Sequence, residues 1–436
     1  MVATAHVMAI DLATFASDHW MKTPGVHRGP WIPEFCSPAE YFDILLAISR
    51  EFDAGPRPGP FGFHMDGRRF ISQLERWVPR ASDGSLEGYQ RRLDAMLEGR
   101  SLTITANHFA MRSFDVWRRF AVFSRQLAKL AGWPSLEVNV DTFYGRYDHT
   151  PDGIHRDSAS VLTYVVTGKK TMLAWPTDAF DHRHPHDGNP MFLGHANTGL
   201  AATAPKKLVG EPGDLLHWSY AHWHMATEQT SWTAGLNLSF YVNRDPMLPL
   251  REALAEPEMV EALLPHRLTL EDCIHDDALP SGDVASPWLD AFVALGKQLA
   301  EPAAQRALQT ALISRWLVRT SSGGFASVPA MASIETLPDE RSVVRGDAEL
   351  PVGLVHVDGD RALLGANGHV IEAPRSLGLQ RFVEFARSGT DSSMGEVVAM
   401  VADGRSDDGL ARQLVLELLR SRAIRHADSF GHRKFT

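Results

Sequence analysis

Two stretches of this chain carry side chains of a type and spacing that could bind a metal. In GIHRDSASVLTYVVTGKKTMLAWP, Gly153 to Pro176, an imidazole and a carboxylate, His155 and Asp157, sit two residues apart at the head of a β-prone run. Residues i and i+2 of a strand face the same way, so this pair would present both groups to one point. The plainer alternative is a histidine capped by an aspartate that holds a turn. The second stretch, EPGDLLHWSYAHWHMATEQTSWTAGLNLSFYV, Glu211 to Val242, supplies a Pro212-Gly213-Asp214 turn, then His217, His222 and His224, then another strand. A distant histidine returning beside the first pair would complete a face of two histidines and one carboxylate. That donor set suits Fe(II) and leaves positions open for substrate and O2. Zinc would more often draw on cysteine, and the only cysteines, Cys36 and Cys273, are near neither stretch.

Strands must carry these groups. From Leu136 to about Val242, LEVNVDTFYGRY, ASVLTYVVTG, KKTMLAWP, GDLLHWS and TAGLNLSFYVN alternate or run apolar between turn residues, which predicts a β-rich sandwich or barrel. Before them, SPAEYFDILLAISREF reads as an amphipathic helix with Ser37 as N-cap before Pro38, and FDVWRRFAVFSRQLAKLAGW as a second, ended by Gly132 and Pro134. After Pro246 the period returns to helix, with Leu289, Phe292, Val293, Gly296 and Ala300 at helical spacing, then QRALQTALISRWLV. TSSGGFASVP reads as a linker. The tail shows short strands with hairpin turns at Asp358-Gly359 and Asn367-Gly368, then three helical segments, a pattern that suggests a winged-helix-like module. The expected organisation is therefore 1–245, 246–325 and 326–436.

Composition narrows the class. The 436 residues, 44% hydrophobic and with a formal net charge of -10, describe a folded protein of more than one domain and speak against a nucleic-acid-coating surface. Two cysteines make no disulfide framework and fit a reducing, cytoplasmic setting. The N-terminal stretch has no basic region before its short apolar run, so no signal peptide is expected, and no uninterrupted run is long enough for a membrane span.

Together the H-x-D pair, the TGKK hairpin, the PGD turn and the late histidine resemble the JmjC-type cupin oxygenases, which depend on Fe(II) and 2-oxoglutarate. The resemblance runs from about Leu136 to Val242 and implies an α+β chain whose core is a double-stranded β-helix, the cupin or jelly-roll fold, with flanking helices. It implies Lys170, fifteen positions after His155, as the partner of the far carboxylate of 2-oxoglutarate. It implies His224, eleven positions after Gly213, as the last metal ligand, with His222 as competitor and His217 packing beside Trp218. Asn237 would contact the cosubstrate or serve the strand backbone. Phe143, Tyr144 and Tyr147 would line the cleft or pack in the core. His182, His184 and His186 read as a solvated loop, although three histidines could bind metal. The sequence departs from the family pattern at Ser219-Tyr220-Ala221, where a Pro-Gly pair commonly precedes the histidine.

The order of cupin, helical segment and winged-helix-like tail resembles the ribosomal oxygenases, hydroxylases of protein side chains that pair through the helical segment, so a homodimer is an expectation. The tail also resembles small domains that capture leader peptides. Both imply a peptide or protein substrate and a hydroxylase reaction. The alternatives are an oxygenase of a free amino acid or small natural product, a non-catalytic cupin binding module, and a cupin isomerase using another metal.

Overall fold

A computed structural model describes residues 3–4, 7–54, 61–180, 191–194, 197–242, 248–255, 293, 296–297, 299–375, 377–404 and 408–429. Cys273, Leu289, Phe292, His182, His184 and His186 lie outside them. The described chain divides into two units, one of residues 1–243 with 322–331 and 431–436, the other of residues 244–321 with 332–430.

In the first unit, twelve strands make one largely antiparallel sheet consistent with a jelly-roll core. Its spine is the strand Trp223–Tyr241, which changes partners along its length. Residues 223–226 pair with Lys170–Trp175, whereas residues 234–241 pair with Ala159–Thr167 on one side and residues 233–240 with Val138–His149 on the other. One strand thus belongs to both walls of the roll. Register shifts around Gln229 to Gly235 let it turn the corner. Alternation then sends Val161, Val165, Met172, Leu208, Leu216 and Trp218 inward to a common apolar cluster.

The two expected helices form at Pro38–Ala54 and Phe114–Ala131. Ser37 caps the first in reciprocal fashion: its backbone N–H donates to Glu40 Oε2 at 2.9 Å, and Glu40 N–H donates to Ser37 Oγ at 3.3 Å. Gly132 ends the second with φ +85°. The linker also has a structural job, since Val138 N–H donates to Gly324 O at 2.8 Å and Ser124 Oγ donates to Gly323 O at 2.6 Å.

In the second unit, Gly353–Asp358, Arg361–Ala366 and His369–Pro374 form an antiparallel meander. Asn367 and Gly368, with φ +50° and +82°, make its second turn as expected of such a dipeptide. The helix Pro302–Ser321 packs on this sheet, with Leu317 against Gly353 and Gly365. A second small sheet, Asp391–Ser393, Val343–Gly346 and Ile424–His426, lies with the helices Leu379–Ser388, Met394–Ala402 and Asp408–Arg420, and one apolar core joins them to the meander, with Ala362, Leu364 and Ile371 packed among Phe382, Val397 and Leu418.

Candidate functional site

The twelve-stranded sheet encloses a cavity of about 220 Å³ lined by His155, Asp157, His224, Lys170 and Asn237 together. They come from three places: His155 and Asp157 from the segment before the strand Ala159–Thr167, Lys170 from the head of Lys170–Trp175, and His224 and Asn237 from the spine strand. His224 is the second residue of the spine strand. His155 does not begin a regular strand, as the sequence suggests; that strand starts at Ala159. Instead His155 forms an isolated antiparallel bridge to His224, each backbone N–H donating to the other's carbonyl at 3.1 and 2.8 Å. Arg156 and Ser158 bond to Met191 and Val242, and these distant partners displace the ladder that local alternation predicts. The consequence for the side chains is the same, because an extended backbone still aims His155 and Asp157 alike.

The three groups meet. His224 Nε2 lies 3.2 Å from Asp157 Oδ2 and His155 Nε2 lies 3.8 Å from Asp157 Oδ1, and all three donor atoms fall within 4.8 Å of one another. Among the described residues this is the one cluster of histidine, cysteine and carboxylate groups so convergent. A cation held about 2.1 Å from each donor needs donors roughly 3 Å apart, close to this spacing. The outer nitrogens are also spoken for: His155 Nδ1 is 2.9 Å from Gly153 O and His224 Nδ1 is 3.3 Å from His222 O. These contacts leave Nε2 of each ring as the lone-pair donor, the arrangement seen around metal-bound imidazoles. Phe192 stacks on His155 at 5.5 Å, and Trp218 lies 5.0 Å from the His224 ring.

Electrostatics favour the same state for His155. Burial, with His224 alongside, lowers the pKa of His155 and keeps it neutral. Burial opposes ionisation of Asp157, yet the two imidazoles outweigh it and hold the carboxyl at about 2. His222, the competitor, is elsewhere: its Nδ1 engages Ser219 Oγ at 2.7 Å.

Lys170 is 3% exposed, and its ammonium donates to the Tyr147 hydroxyl at 2.9 Å beneath the Phe143 and Tyr147 rings. No carboxylate pairs with it among the described residues. A buried ammonium with one neutral partner is costly, and an anion entering the cavity would offset that cost. Gly168 sets its approach: φ is +75°, and a Cβ there would lie 2.3 Å from Trp232 O. Asn237 Oδ1 accepts from Thr163 Oγ1 at 2.7 Å, which leaves its NH2 as the group to donate.

Other expectations resolve individually. Phe143 lines the cavity, Tyr144 is buried against Tyr89 and Trp232, and Tyr147 supports Lys170. That last role was invisible in the sequence, because only the cross-sheet fold joins the two. His217 does not pack beside Trp218. The two alternate to opposite faces, with Trp218 in the inner cluster and His217 against Phe15 and Trp20. Asp141, unremarkable in sequence, also lines the cavity, where burial raises its pKa.

Comparison with known proteins follows from this geometry. No protein-family model matches the sequence, and no curated protein matches it. Solved structures do match. The X-ray structure of E. coli ycfD is 13% identical with a TM-score of 0.51, the alignment covering 95% of this chain and 98% of that one. YcfD, described as a ribosomal oxygenase from Escherichia coli, in complex with cobalt and 2-oxoglutarate, is 14% identical with a TM-score of 0.51, covering 96% and 98%. The resemblance to the ribosomal oxygenases holds at the level of the fold. It spans nearly the whole of both chains. Among the described residues, no helix is long and apolar enough to cross a membrane.

Proposed function

We propose that the protein is an Fe(II)- and 2-oxoglutarate-dependent oxygenase that hydroxylates a side chain of a peptide or protein. The observation that carries this reading is the meeting, in one cavity, of the His155, Asp157 and His224 donors with the under-paired ammonium of Lys170. The donor set suits Fe(II), and the one cationic side chain among the cavity's lining residues suits a dicarboxylate. The shared fold with a structure solved in complex with cobalt and 2-oxoglutarate supports the same pairing.

When bound, iron and 2-oxoglutarate supply oxygen activation, with the cosubstrate leaving as succinate and CO2 and one oxygen atom entering a substrate C–H bond. The protein's own groups do the positioning. His155 and His224 would donate to the metal through Nε2, and the Gly153 and His222 carbonyls hold their rings. Asp157 contributes the anionic charge. Lys170, braced by Tyr147, pairs with the far carboxylate of the cosubstrate, and the Asn237 amide donates nearby. Met172, Ala226, Phe192 and Trp218 make apolar wall and exclude water.

A polypeptide substrate is supported by the ribosomal oxygenase fold and by the second unit, whose small sheet and three helices we read as a winged-helix-like docking module. Tethering a substrate there would raise its effective concentration at the cavity. The test is succinate release by the iron-loaded protein with candidate peptides, followed by mass spectrometry for a gain of one oxygen. Succinate release that no peptide stimulates, while free amino acids do, would move the reading to a small-molecule oxygenase.

A further inference from the structure

Away from the cavity, on the outer face of the roll, the chain buries histidines that the proposed chemistry does not use. In Gly25–His27 and Leu215–Trp218, paired antiparallel, Val26 and Leu216 face the inner core while His27 and His217 face out. Both outward rings are 0% exposed, because Phe15, Trp20 and Trp31 close over them; these residues and the strand that carries His27 belong to one strap, residues 11–31, laid along Leu215–Trp218. Phe15 meets His27 edge-on at 4.8 Å and His217 at 5.3 Å, Trp20 covers His217 at 5.3 Å, and Trp31 stacks on Phe15 at 5.3 Å. His19, from the strap itself, lies 5.4 Å from His27.

This interface is poorly satisfied. Among the described residues, neither nitrogen of His27, nor His217 Nε2, nor His19 Nδ1 has a hydrogen-bond partner; His217 Nδ1 reaches Thr23 O at 3.2 Å. Every titratable group acting on the two rings is cationic or becomes so: His19 and Lys206 on His27; His27, His222 and His19 on His217. The strap's own carboxylates are occupied, Asp11 by Thr14 N–H and Asp18 by the Ser17 hydroxyl. Arg28, beside His27 in sequence, is held by Asp214 at 2.6 Å. A proton arriving on either ring would therefore find aromatic surface and like charge, with no carboxylate to meet it.

We propose that residues 11–31 form an acid-releasable strap whose switch is the buried pair His27 and His217, with His19 closing over them. Neutral rings pack it shut; protonated rings are stable only once it lifts into solvent. Lifting it uncovers the edge of Leu215–Trp218, the strand whose other face places Trp218 over His224. The inference is independent of whether a metal binds there. Burial lowers both pKa values from 6.5 to about 3. The sign follows: the open strap binds protons that the closed one rejects, so closure is complete above pH 6.5 and weakens as pH falls below it. At pH 5.5 each histidine favours opening by about tenfold, and both together by about a hundredfold.

Hydrogen exchange of the full chain at pH 7.5 and 5.5, corrected for intrinsic rates, tests this peptide by peptide. Strap peptides should lose protection by about tenfold to a hundredfold at pH 5.5, while the strand Val138–His149 keeps its own. His27→Phe with His217→Phe, ring-sized and untitratable, should abolish the difference. Should that pair fail to fold, His27→Asn alone should reduce it by about tenfold. Equal strap protection at both pH values, an unchanged response in the variants, or simultaneous loss throughout the sheet would each overturn the proposal.

Discussion

Replacing Lys170 with Met keeps an unbranched side chain, one atom shorter, and deletes its charge. In the structure that ammonium is 3% exposed and bonded to Tyr147 Oη at 2.9 Å, with no paired carboxylate among the described residues. Under the proposed function, a carboxylate of 2-oxoglutarate fills that role, through a charge-assisted contact worth about 1.5–3 kcal/mol. Its loss corresponds to a rise of about 10- to 150-fold in the 2-oxoglutarate Kd. Metal affinity should hold, because Lys170 lies outside the donor cluster. The ligand-free variant should melt no lower than the parent, since an under-paired buried charge is removed at the expense of one bond to a tyrosine. Anaerobic calorimetric titration of 2-oxoglutarate into the metal-loaded variant and parent, beside thermal melts, gives all three quantities. A change in Kd below about threefold with metal affinity intact would refute the role of Lys170 and leave its burial without a ligand to explain it.

Three further outcomes are expected. His224→Ala should abolish metal binding by equilibrium dialysis and all succinate release, whereas His222→Ala should retain stoichiometric metal, since His222 Nδ1 is bonded to Ser219 instead; the reverse ranking would transfer the ligand to His222. Metal affinity should be flat between pH 8 and 6.5, because burial lowers the pKa of His155 and protons compete only below its ordinary value of 6.5; a steep decline within that range, measured by competition with a chelator, would contradict a neutral buried ligand. Gly168→Ala should destabilise the roll by about 2 kcal/mol or more and lower Tm by about 4–8 °C, from the strain at positive φ and the approach of Trp232 O. An unchanged melt would mean the TGK turn relaxes freely.

What could be read from the sequence was whatever depended on local period. Period-two runs located strands of the roll after Leu136, though not the short ones before it such as Gly25–His27, Phe61–Met65 and Leu102–Ala106, which lie in a stretch that reads as loops and helices; Ser37 and Gly132 marked helix ends, and the Asn367-Gly368 dipeptide marked a hairpin. That His155 and Asp157 would share a face with a histidine from a later strand was legible from alternation, while the choice of His224 over His222 and His217 came from the resemblance to the JmjC-type oxygenases. Features set by distant partners were not legible. His155 pairs with His224 rather than starting a ladder, Tyr147 braces Lys170 across the sheet, and His217 turns toward a strap nearly two hundred residues earlier. In each case the deciding contact joins residues with no shared local pattern, and strand alternation alone leaves open which outward face will be covered.

The account's central claim is that one cavity holds both the metal and the dicarboxylate. Its most direct test is an anaerobic titration of Fe(II), then 2-oxoglutarate, into the full chain, following bound iron and the visible charge-transfer absorption that a chelated 2-oxoacid gives on Fe(II). The claim predicts one iron and one 2-oxoglutarate per chain, with the absorption absent in Asp157→Ala and displaced to higher ligand concentration in Lys170→Met. Iron bound equally well by Asp157→Ala, or 2-oxoglutarate bound without the absorption, would contradict it.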